Sequence, residues 1–233
     1  MATPVLSTPE SVKHPLIASP WHTLFLIVAQ GLLSFRSKMQ ASHAHVLGDR
    51  IGLYERTIFF EWLMFALMIL GVWRYGSSVL TVLGERWRSV GQVFRDIGIA
   101  VLFLVVSITI ESILGSHGHG GGDNSTTQFM LPHGGVEATM WVVLSITAGF
   151  CEEAIYRGYL QRQFIALTKN IPAGIVLSAA AFGAAHAYQG FQHALQIGFL
   201  GLMGGILAYW CKSVRPGMIA HTLQDVLGGF IQH

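Results

Sequence analysis

Residues 140–160 read MWVVLSITAGFCEEAIYRGYL, an apolar stretch that carries two adjacent acids and one arginine. Its length matches the roughly 20 residues that a helix needs to cross a bilayer. A charged side chain in such a helix costs about 2.5–3.5 kcal/mol on insertion scales, so Glu152, Glu153 and Arg157 indicate a functional site. The stretch therefore predicts a transmembrane helix that is built around polar groups.

The composition of the whole chain is typical of a membrane protein. Of its 233 residues, 52% are apolar and 11% are charged, whereas a soluble domain carries about 25% charged residues. These values exclude a disordered chain, and a net charge of +2 gives no indication of nucleic-acid binding. The two cysteines, Cys151 and Cys211, lie in apolar runs and exclude a disulfide framework.

Further apolar segments on both sides of this stretch predict an all-α fold, a polytopic transmembrane helical bundle of about seven spans. Because ionisable groups that face lipid are penalised, we expect the polar groups to line an active-site cavity inside the bilayer. The first span is short, and it either crosses the membrane or lies at its interface. The predicted spans are 21–35, 57–73, 97–114, 140–160, 171–188, 194–210 and 217–231.

Loop charges orient the bundle, because Lys and Arg are retained on the cytoplasmic side. The segments at 74–95, 157–169 and 212–215 carry Lys and Arg, whereas the segment at 115–136 carries neither. We therefore place the latter segment outside. A basic loop predicted at 36–56 contradicts this scheme unless the first helix does not span the membrane.

We divide the chain into three parts. Residues 1–17 form a polar N-terminal tail, residues 18–136 a variable transmembrane region, and residues 137–233 the core that carries the charged stretch. The variable region ends in a flexible loop at 115–136 that is rich in glycine and histidine. We favour a flexible segment over a metal site for the histidines of this loop, which are His117, His119 and His133.

Helical spacing predicts which ionisable groups of the last four spans share a helix face. Glu153 and Arg157 are four residues apart with the acid first, which favours an ion pair. Glu152 is rotated by about 100° from Glu153 and has no partner on its own helix, which suits a general base. His221 and Asp225 also share a face, so the carboxyl can accept a hydrogen bond from the imidazole and fix its tautomer.

Chain geometry predicts that these groups meet. Glu152 and His186 are 34 residues apart with a polar turn at 169–172 midway, so a helical hairpin would place both at the same depth. Glu61 and Glu111 lie near predicted span ends, and we expect them to be interfacial or packing residues. Close helix packing is predicted along a small-residue face formed by Gly201, Gly204 and Gly205.

Three motifs on these helices resemble those of a known family. EEAIYR at 152–157 matches EExxxR, FGAAH at 182–186 matches FxxxH, and HTLQD at 221–225 matches HxxxN/D. In order and spacing they resemble the CPBP family of CAAX proteases and bacteriocin-processing or immunity proteins, which includes the type II CAAX prenyl endopeptidases. The resemblance covers roughly residues 140–231, and it implies that 137–233 is a CPBP-like catalytic core.

The resemblance implies an integral-membrane endopeptidase that hydrolyses a peptide bond of a membrane-associated protein or peptide. It assigns Glu152 and His186 to activation of a water molecule, and His221 with Asp225 to stabilisation of the oxyanion. The prenyl endopeptidases carry Asn where this chain has Asp225, and an ionised Asp225 would repel an oxyanion. We therefore expect Asp225 to be protonated, to orient His221 or to bind a metal. The supporting residues of the motifs are Glu153, Arg157 and Phe182.

Two alternatives stay open. Glu152, His186 and His221 would suit a zinc ion with one open coordination position, although we favour a glutamate-based mechanism that needs no cofactor. A non-catalytic polytopic protein, such as a bacteriocin immunity factor, a scaffold or a proton-coupled transporter, would also carry buried charges. The expected partners are the lipid bilayer and a membrane-associated peptide or protein substrate. The expected location is multi-pass in a membrane, the inner cell membrane if the source is bacterial.

Overall fold

A computed structural model of the protein describes residues 15–117 and 125–231. Within these ranges the regular structure is helical and contains no β-strand, so the predicted all-α fold is confirmed. Most of the predicted tail at 1–17 lies outside the described residues. The same holds for residues 118–124 of the predicted loop, which include His119.

Two long helices begin the described chain, and only Gly48 and Asp49 separate them. The Asp49 side chain accepts a hydrogen bond from the Gly52 backbone N–H at 2.9 Å and thereby caps the second helix. The predicted loop at 36–56 is wrong, because the first helix continues to Leu47 and the second begins at Arg50. Residues 36–47 contain no glycine or proline that would end a helix. The helices of this half are α1 (Pro20–Leu47), α2 (Arg50–Arg74), α3 (Val79–Leu83), α4 (Val90–His117) and α5 (Ser125–Met130).

The second half of the chain contains one long helix that changes its hydrogen-bond register without ending. It starts as an α-helix, continues as a π-helical segment through the EExxxR motif, and becomes α-helical again. A helical hairpin and a final helix follow it. The elements are α6 (Gly135–Glu152), the π segment (Glu153–Leu160), α7 (Gln161–Thr168), α8 (Ile171–Ala185), a 3₁₀ turn (Ala187–Gln189), α9 (Phe191–Cys211) and α10 (Arg215–Ile231).

Several helices of the described residues are long and apolar enough to cross a membrane, and the protein is an integral, multi-pass membrane protein. α8 is also apolar but shorter, with 15 residues. The number of about seven spans therefore stays a prediction, as does the membrane topology of α1. The stretches that meet the length and composition requirement are Arg50–Arg74, Val90–Ile113, Gly135–Thr168 and Phe191–Cys211.

The π segment is buried along its whole length. Its hydrogen bonds connect residues five apart, a geometry that is frequent at functional sites. Gly158 allows close approach to α3, since a Cβ at this position would lie 2.5 Å from the Val82 carbonyl oxygen. On the side of α1, the hydroxyl groups of Tyr159 and Thr23 form a hydrogen bond of 2.9 Å. These contacts fix the position of the π segment, which carries most of the EExxxR motif, against α1 and α3.

Asp96 links the start of α4 to the start of α10. Its side chain is 1% exposed, and its Oδ2 accepts hydrogen bonds from Trp87 Nε1 at 2.8 Å and from Arg215 Nε at 3.0 Å. The Arg215 guanidinium also lies over the Trp87 ring. Because α10 carries His221 and Asp225, this ion pair fixes the position of the HxxxN/D motif.

We expect Asp96→Ala to lower the free energy of unfolding by about 3 kcal/mol, because it leaves the Arg215 guanidinium without its buried partner. Thermal unfolding of the detergent-solubilised protein measures the effect. Glu85→Ala is a matched control, since the side chains of Glu85 and Arg88 form a pair that is 76% and 73% exposed, and such pairs contribute little to stability. Equal destabilisation by the two substitutions would contradict the structural role of Asp96.

Candidate active site

The side chains of the three motifs line one cavity of about 450 Å³. Three separate parts of the chain contribute to it: the junction of α6 with the π segment, the C-terminal part of α8, and the middle of α10. The predicted meeting of the three motifs is therefore present. The chemical role of each side chain stays a prediction. The motif residues that line the cavity are Glu152, Glu153, Arg157, Phe182, His186, His221 and Asp225.

Glu152 lies between the two motif histidines. Its Oε1 is 3.7 Å from His186 Nε2, and its Oε2 is 3.7 Å from His221 Nε2. Both separations are longer than a direct hydrogen bond, and polar groups at such a distance are commonly bridged by water. A water molecule that bonds to both Glu152 Oε1 and His186 Nε2 would therefore lie beside the line that joins them, on the side of the cavity.

The orientation of His186 is fixed by the end of α8. Its Nδ1 lies 2.9 Å from the Phe182 carbonyl oxygen, which can only accept, so Nδ1 carries the hydrogen. In the neutral imidazole Nε2 then presents a lone pair toward Glu152. The ring packs edge-on against Phe182, with centroids 4.8 Å apart, and stacks on Tyr188. Glu152 and His186 thus direct two hydrogen-bond acceptors at the gap between them.

The predicted ion pair between Glu153 and Arg157 is present and buried. Arg157 Nη1 lies 2.9 Å from Glu153 Oε1, and the two side chains are 4% and 5% exposed. The guanidinium carbon also lies 4.1 Å from the centroid of the Phe182 ring. The small-residue face of α9 makes room for it, since a Cβ at Gly204 would lie 3.3 Å from Arg157 Nε.

His221 lies among three carboxyl groups. Its Nδ1 is 3.4 Å from Glu153 Oε1, and its Nε2 is 3.6 Å from Asp225 Oδ2 in addition to its contact with Glu152. α10 approaches the π segment closely, because a Cβ at Gly217 would lie 2.7 Å from Glu153 Oε2. A hydrogen on either imidazole nitrogen therefore has an acceptor nearby.

Two further acids line the cavity, Glu61 from α2 and Glu111 from α4. The expectation that they are interfacial or packing residues is wrong. Glu61 shares the cavity lining with Glu152, and Glu111 Oε1 accepts a hydrogen bond from Gln224 Nε2 at 2.8 Å. The position of Glu61 well inside an apolar helix was a usable signal, since an acid there is costly unless it faces a cavity.

The structure gives no support for a metal centre among these side chains. In the part of the chain that the structure describes, no group of three or more His, Cys, Asp or Glu side chains has an arrangement that would hold a metal ion. This applies to Glu152, His186 and His221, for which the sequence left a zinc site open.

Residues 134–227 match the family model described as Rce1-like, type II CAAX prenyl endopeptidase Rce1-like. The suspected family is confirmed for this segment. The Rce1-like segment is somewhat less than half of the chain, but it contains all three motifs and the elements from α6 into α10. A search of curated proteins gave no significant match, and neither did a search of solved structures. The match supports a CAAX-type membrane endopeptidase in general terms.

Proposed function

We propose that the protein is an intramembrane endopeptidase that hydrolyses a peptide bond of a membrane-associated protein or peptide. The observation that carries the proposal is the position of Glu152 between His186 and His221, at 3.7 Å from each. All three residues lie in the Rce1-like segment and line the large cavity. A base and an oxyanion donor on opposite sides of one gap are what amide hydrolysis requires. For a bacterial source, the protein would act in the inner membrane.

Glu152 and His186 activate the attacking water. A water molecule in the gap donates one hydrogen to Glu152 Oε1 and the other to His186 Nε2, because both atoms are acceptors. Its oxygen lone pair is then directed into the cavity, toward the carbonyl carbon of the scissile bond. As the new carbon–oxygen bond forms, Glu152 takes the proton. It later delivers this proton to the leaving nitrogen when the carbon–nitrogen bond breaks.

His221 stabilises the negative charge that develops on the carbonyl oxygen. In this role the ring carries a hydrogen on both nitrogens, as an imidazolium. Its Nδ1–H donates to Glu153 Oε1, at 3.4 Å, and this contact orients Nε2–H toward the gap. Removing one such donor typically costs about 10²- to 10³-fold in rate. Asp225, beside the same Nε2, serves this step best as a protonated carboxyl, which donates a second hydrogen bond instead of repelling the oxyanion.

The proposal is tested by comparing peptide termini in membranes. Cells that express either the wild-type chain or its Glu152→Gln variant are fractionated, and new N-termini in the membrane fraction are labelled and identified by mass spectrometry. Purified protein in lipid nanodiscs is then given a farnesylated peptide that ends in a C-a-a-X sequence. We expect cleavage at one bond by the wild type only. Identical termini for both proteins, together with an intact peptide, would contradict the proposal.

Substitutions of Asp225 distinguish two roles for its side chain: a protonated carboxyl that donates a hydrogen bond to the oxyanion, and an ionised carboxylate that orients His221. We expect Asp225→Asn to keep the cleavage rate within about threefold of the wild type, because the amide also donates a hydrogen bond, and Asp225→Ala to lower it by about 10²-fold. Initial rates on the farnesylated peptide measure both effects. Should the Asn variant be as slow as the Ala variant, an ionised carboxylate that orients His221 would replace the donor role.

A further inference from the structure

Tyr188 lies in the 3₁₀ turn after α8, beside the proposed catalytic residues. It lines the large cavity and also a second, smaller cavity of about 100 Å³ that adjoins it. Glu152 and His186 line both cavities as well. The Tyr188 ring stacks on the His186 imidazole, with ring centroids 6.2 Å apart and an interplanar angle of 28°. Tyr188 is therefore next to the gap in which the proposed function places the water and the scissile bond.

The hydroxyl of Tyr188 accepts a hydrogen bond from Gln189 Nε2 at 2.9 Å. A phenol can accept and donate at the same time, and in this contact the hydrogen comes from the amide. Among the described residues, no group accepts a hydrogen bond from the Tyr188 hydroxyl. Its own hydrogen therefore remains available to a ligand in the cavity, while Gln189 fixes the position of the oxygen.

The other hydroxyl and indole groups that line the large cavity already donate within the protein. The hydroxyl groups of Thr57 and Ser145 each donate to the carbonyl oxygen four residues earlier on their own helix, at 2.9 and 2.8 Å. Trp141 Nε1 donates to the Asp225 carbonyl oxygen at 2.9 Å. Of the hydroxyl and indole donors that line this cavity in the described part of the chain, only Tyr188 keeps a hydrogen for a ligand.

The same cavity offers many hydrogen-bond acceptors. The carboxyl groups that line it belong to Glu61, Glu111, Glu152, Glu153 and Asp225. A peptide that enters the cavity brings one main-chain donor and one main-chain acceptor for each residue other than proline. Its N–H groups therefore find acceptors readily, whereas its carbonyl oxygens depend on few donors. A carbonyl oxygen that is buried without a donor opposes binding.

We propose that the Tyr188 hydroxyl binds the substrate main chain, by donating a hydrogen bond to the carbonyl oxygen of a peptide unit that flanks the scissile bond. This inference rests on the proposed function. Tyr188 stacks on His186, which lies at Glu152 Oε1. The oxyanion donor His221 lies at Oε2 of the same carboxyl group, so the two donors serve different peptide units. Because the flanking carbonyl does not react, its hydrogen bond has the same strength in the ground state and in the transition state and acts on substrate affinity.

Tyr188→Phe is the test variant, because it removes the hydroxyl and keeps the ring on His186. With the farnesylated C-a-a-X peptide as the probe, we expect KM to rise by about 10-fold and kcat to change by less than about threefold. An unchanged KM, whether or not kcat falls, would overturn the inference. Tyr209→Phe is the matched control. Tyr209 lies on α9, is 45% exposed and lines neither cavity, so both constants should keep their wild-type values.

Changes in the probe identify the carbonyl group. In two further probes, one of the two peptide units that flank the cleaved bond is made a thioamide, whose sulfur accepts hydrogen bonds more weakly than oxygen. We expect one of these probes to raise KM of the wild type by about 10-fold and to leave KM of Tyr188→Phe within about twofold. If each thioamide has the same effect on both proteins, the hydroxyl does not bind a flanking carbonyl and the inference is overturned.

A binding measurement separates this inference from the proposed function. Fluorescence anisotropy of the labelled parent and thioamide peptides is measured with Glu152→Gln protein, with and without the additional Tyr188→Phe substitution, and it requires no turnover. Suppose that Tyr188→Phe weakens binding of the parent peptide but not of one thioamide, in a protein whose wild type cleaves none of the probes. This result would support the carbonyl site and contradict the peptidase. An affinity for the parent peptide that does not depend on the Tyr188 hydroxyl would overturn the carbonyl site, whatever the wild type cleaves.

Discussion

Glutamine in place of Glu152 is expected to lower peptide cleavage by about 10³-fold or more. The amide keeps the size of the side chain and its contacts with the two histidines, but it cannot accept a proton from water, and general bases typically contribute 10²- to 10⁴-fold. Single-turnover rates of purified protein on the farnesylated peptide measure the loss. An unchanged thermal unfolding temperature shows that the variant is folded.

Glu111→Gln is the matched control for this substitution. Glu111 is another acid of the same cavity, but it accepts a hydrogen bond from Gln224 on α10, and among the described residues it has no histidine partner. We expect this variant to cleave within about threefold of the wild type. A similar loss in both variants would mean that the charge of the cavity matters and not the position of one base.

The non-catalytic alternative predicts a different result. In that case a cellular phenotype of the protein, such as bacteriocin immunity, should survive both Glu152→Gln and His221→Ala. The two substitutions remove the base and the oxyanion donor separately. A phenotype that is lost in both while the protein stays in the membrane would instead support the peptidase.

The meeting of the three motifs could be predicted from the sequence, because helix geometry determines it. Glu153 and Arg157 are one turn apart, and the hairpin between Glu152 and His186 has arms of equal length on either side of the turn at 169–172. Such relations depend only on the rise and the turn of a helix. The structure has the ion pair and the convergence at the expected places.

The residues that the first half of the chain contributes to the cavity could not be predicted in this way. Glu61 reaches Glu152 because α2 packs against α6, and no periodicity in the sequence determines which apolar helices become neighbours. In a bilayer, one apolar face is as acceptable to lipid as another, so packing depends on detailed shape.

The π segment is another feature that the sequence does not reveal. Its residues EAIYRGYL are compatible with an ordinary α-helix, and the change of register depends on contacts from outside the segment. Gly158 must admit the Val82 carbonyl, and Tyr159 must reach α1. The i, i+4 spacing of Glu153 and Arg157 therefore predicted the correct ion pair, but it did not predict that the backbone between them is π-helical.

Arg157→Met is expected to be the most destabilising single substitution of the motifs. It leaves the Glu153 carboxylate buried without its partner, which typically costs 3–5 kcal/mol, and it removes the guanidinium from the Phe182 ring. Thermal unfolding in detergent and the fraction of protein recovered as a monodisperse species measure the effect. A change of less than about 1 kcal/mol would show that the pair contributes little.

The double variant Glu153→Gln, Arg157→Met separates stability from chemistry. Removing both charges takes away the uncompensated ion, so the double variant should be more stable than Arg157→Met alone, and a double-mutant cycle gives the coupling energy. The cleavage rate should nevertheless stay low, because Glu153 Oε1 also faces His221 Nδ1 at 3.4 Å and a neutral amide orients the ring less strongly. A stable double variant with wild-type rate would mean that the pair only joins the helices. A stable but slow one would mean that the Glu153 carboxylate positions the oxyanion donor, since its Oε1 contacts both Arg157 Nη1 and His221 Nδ1.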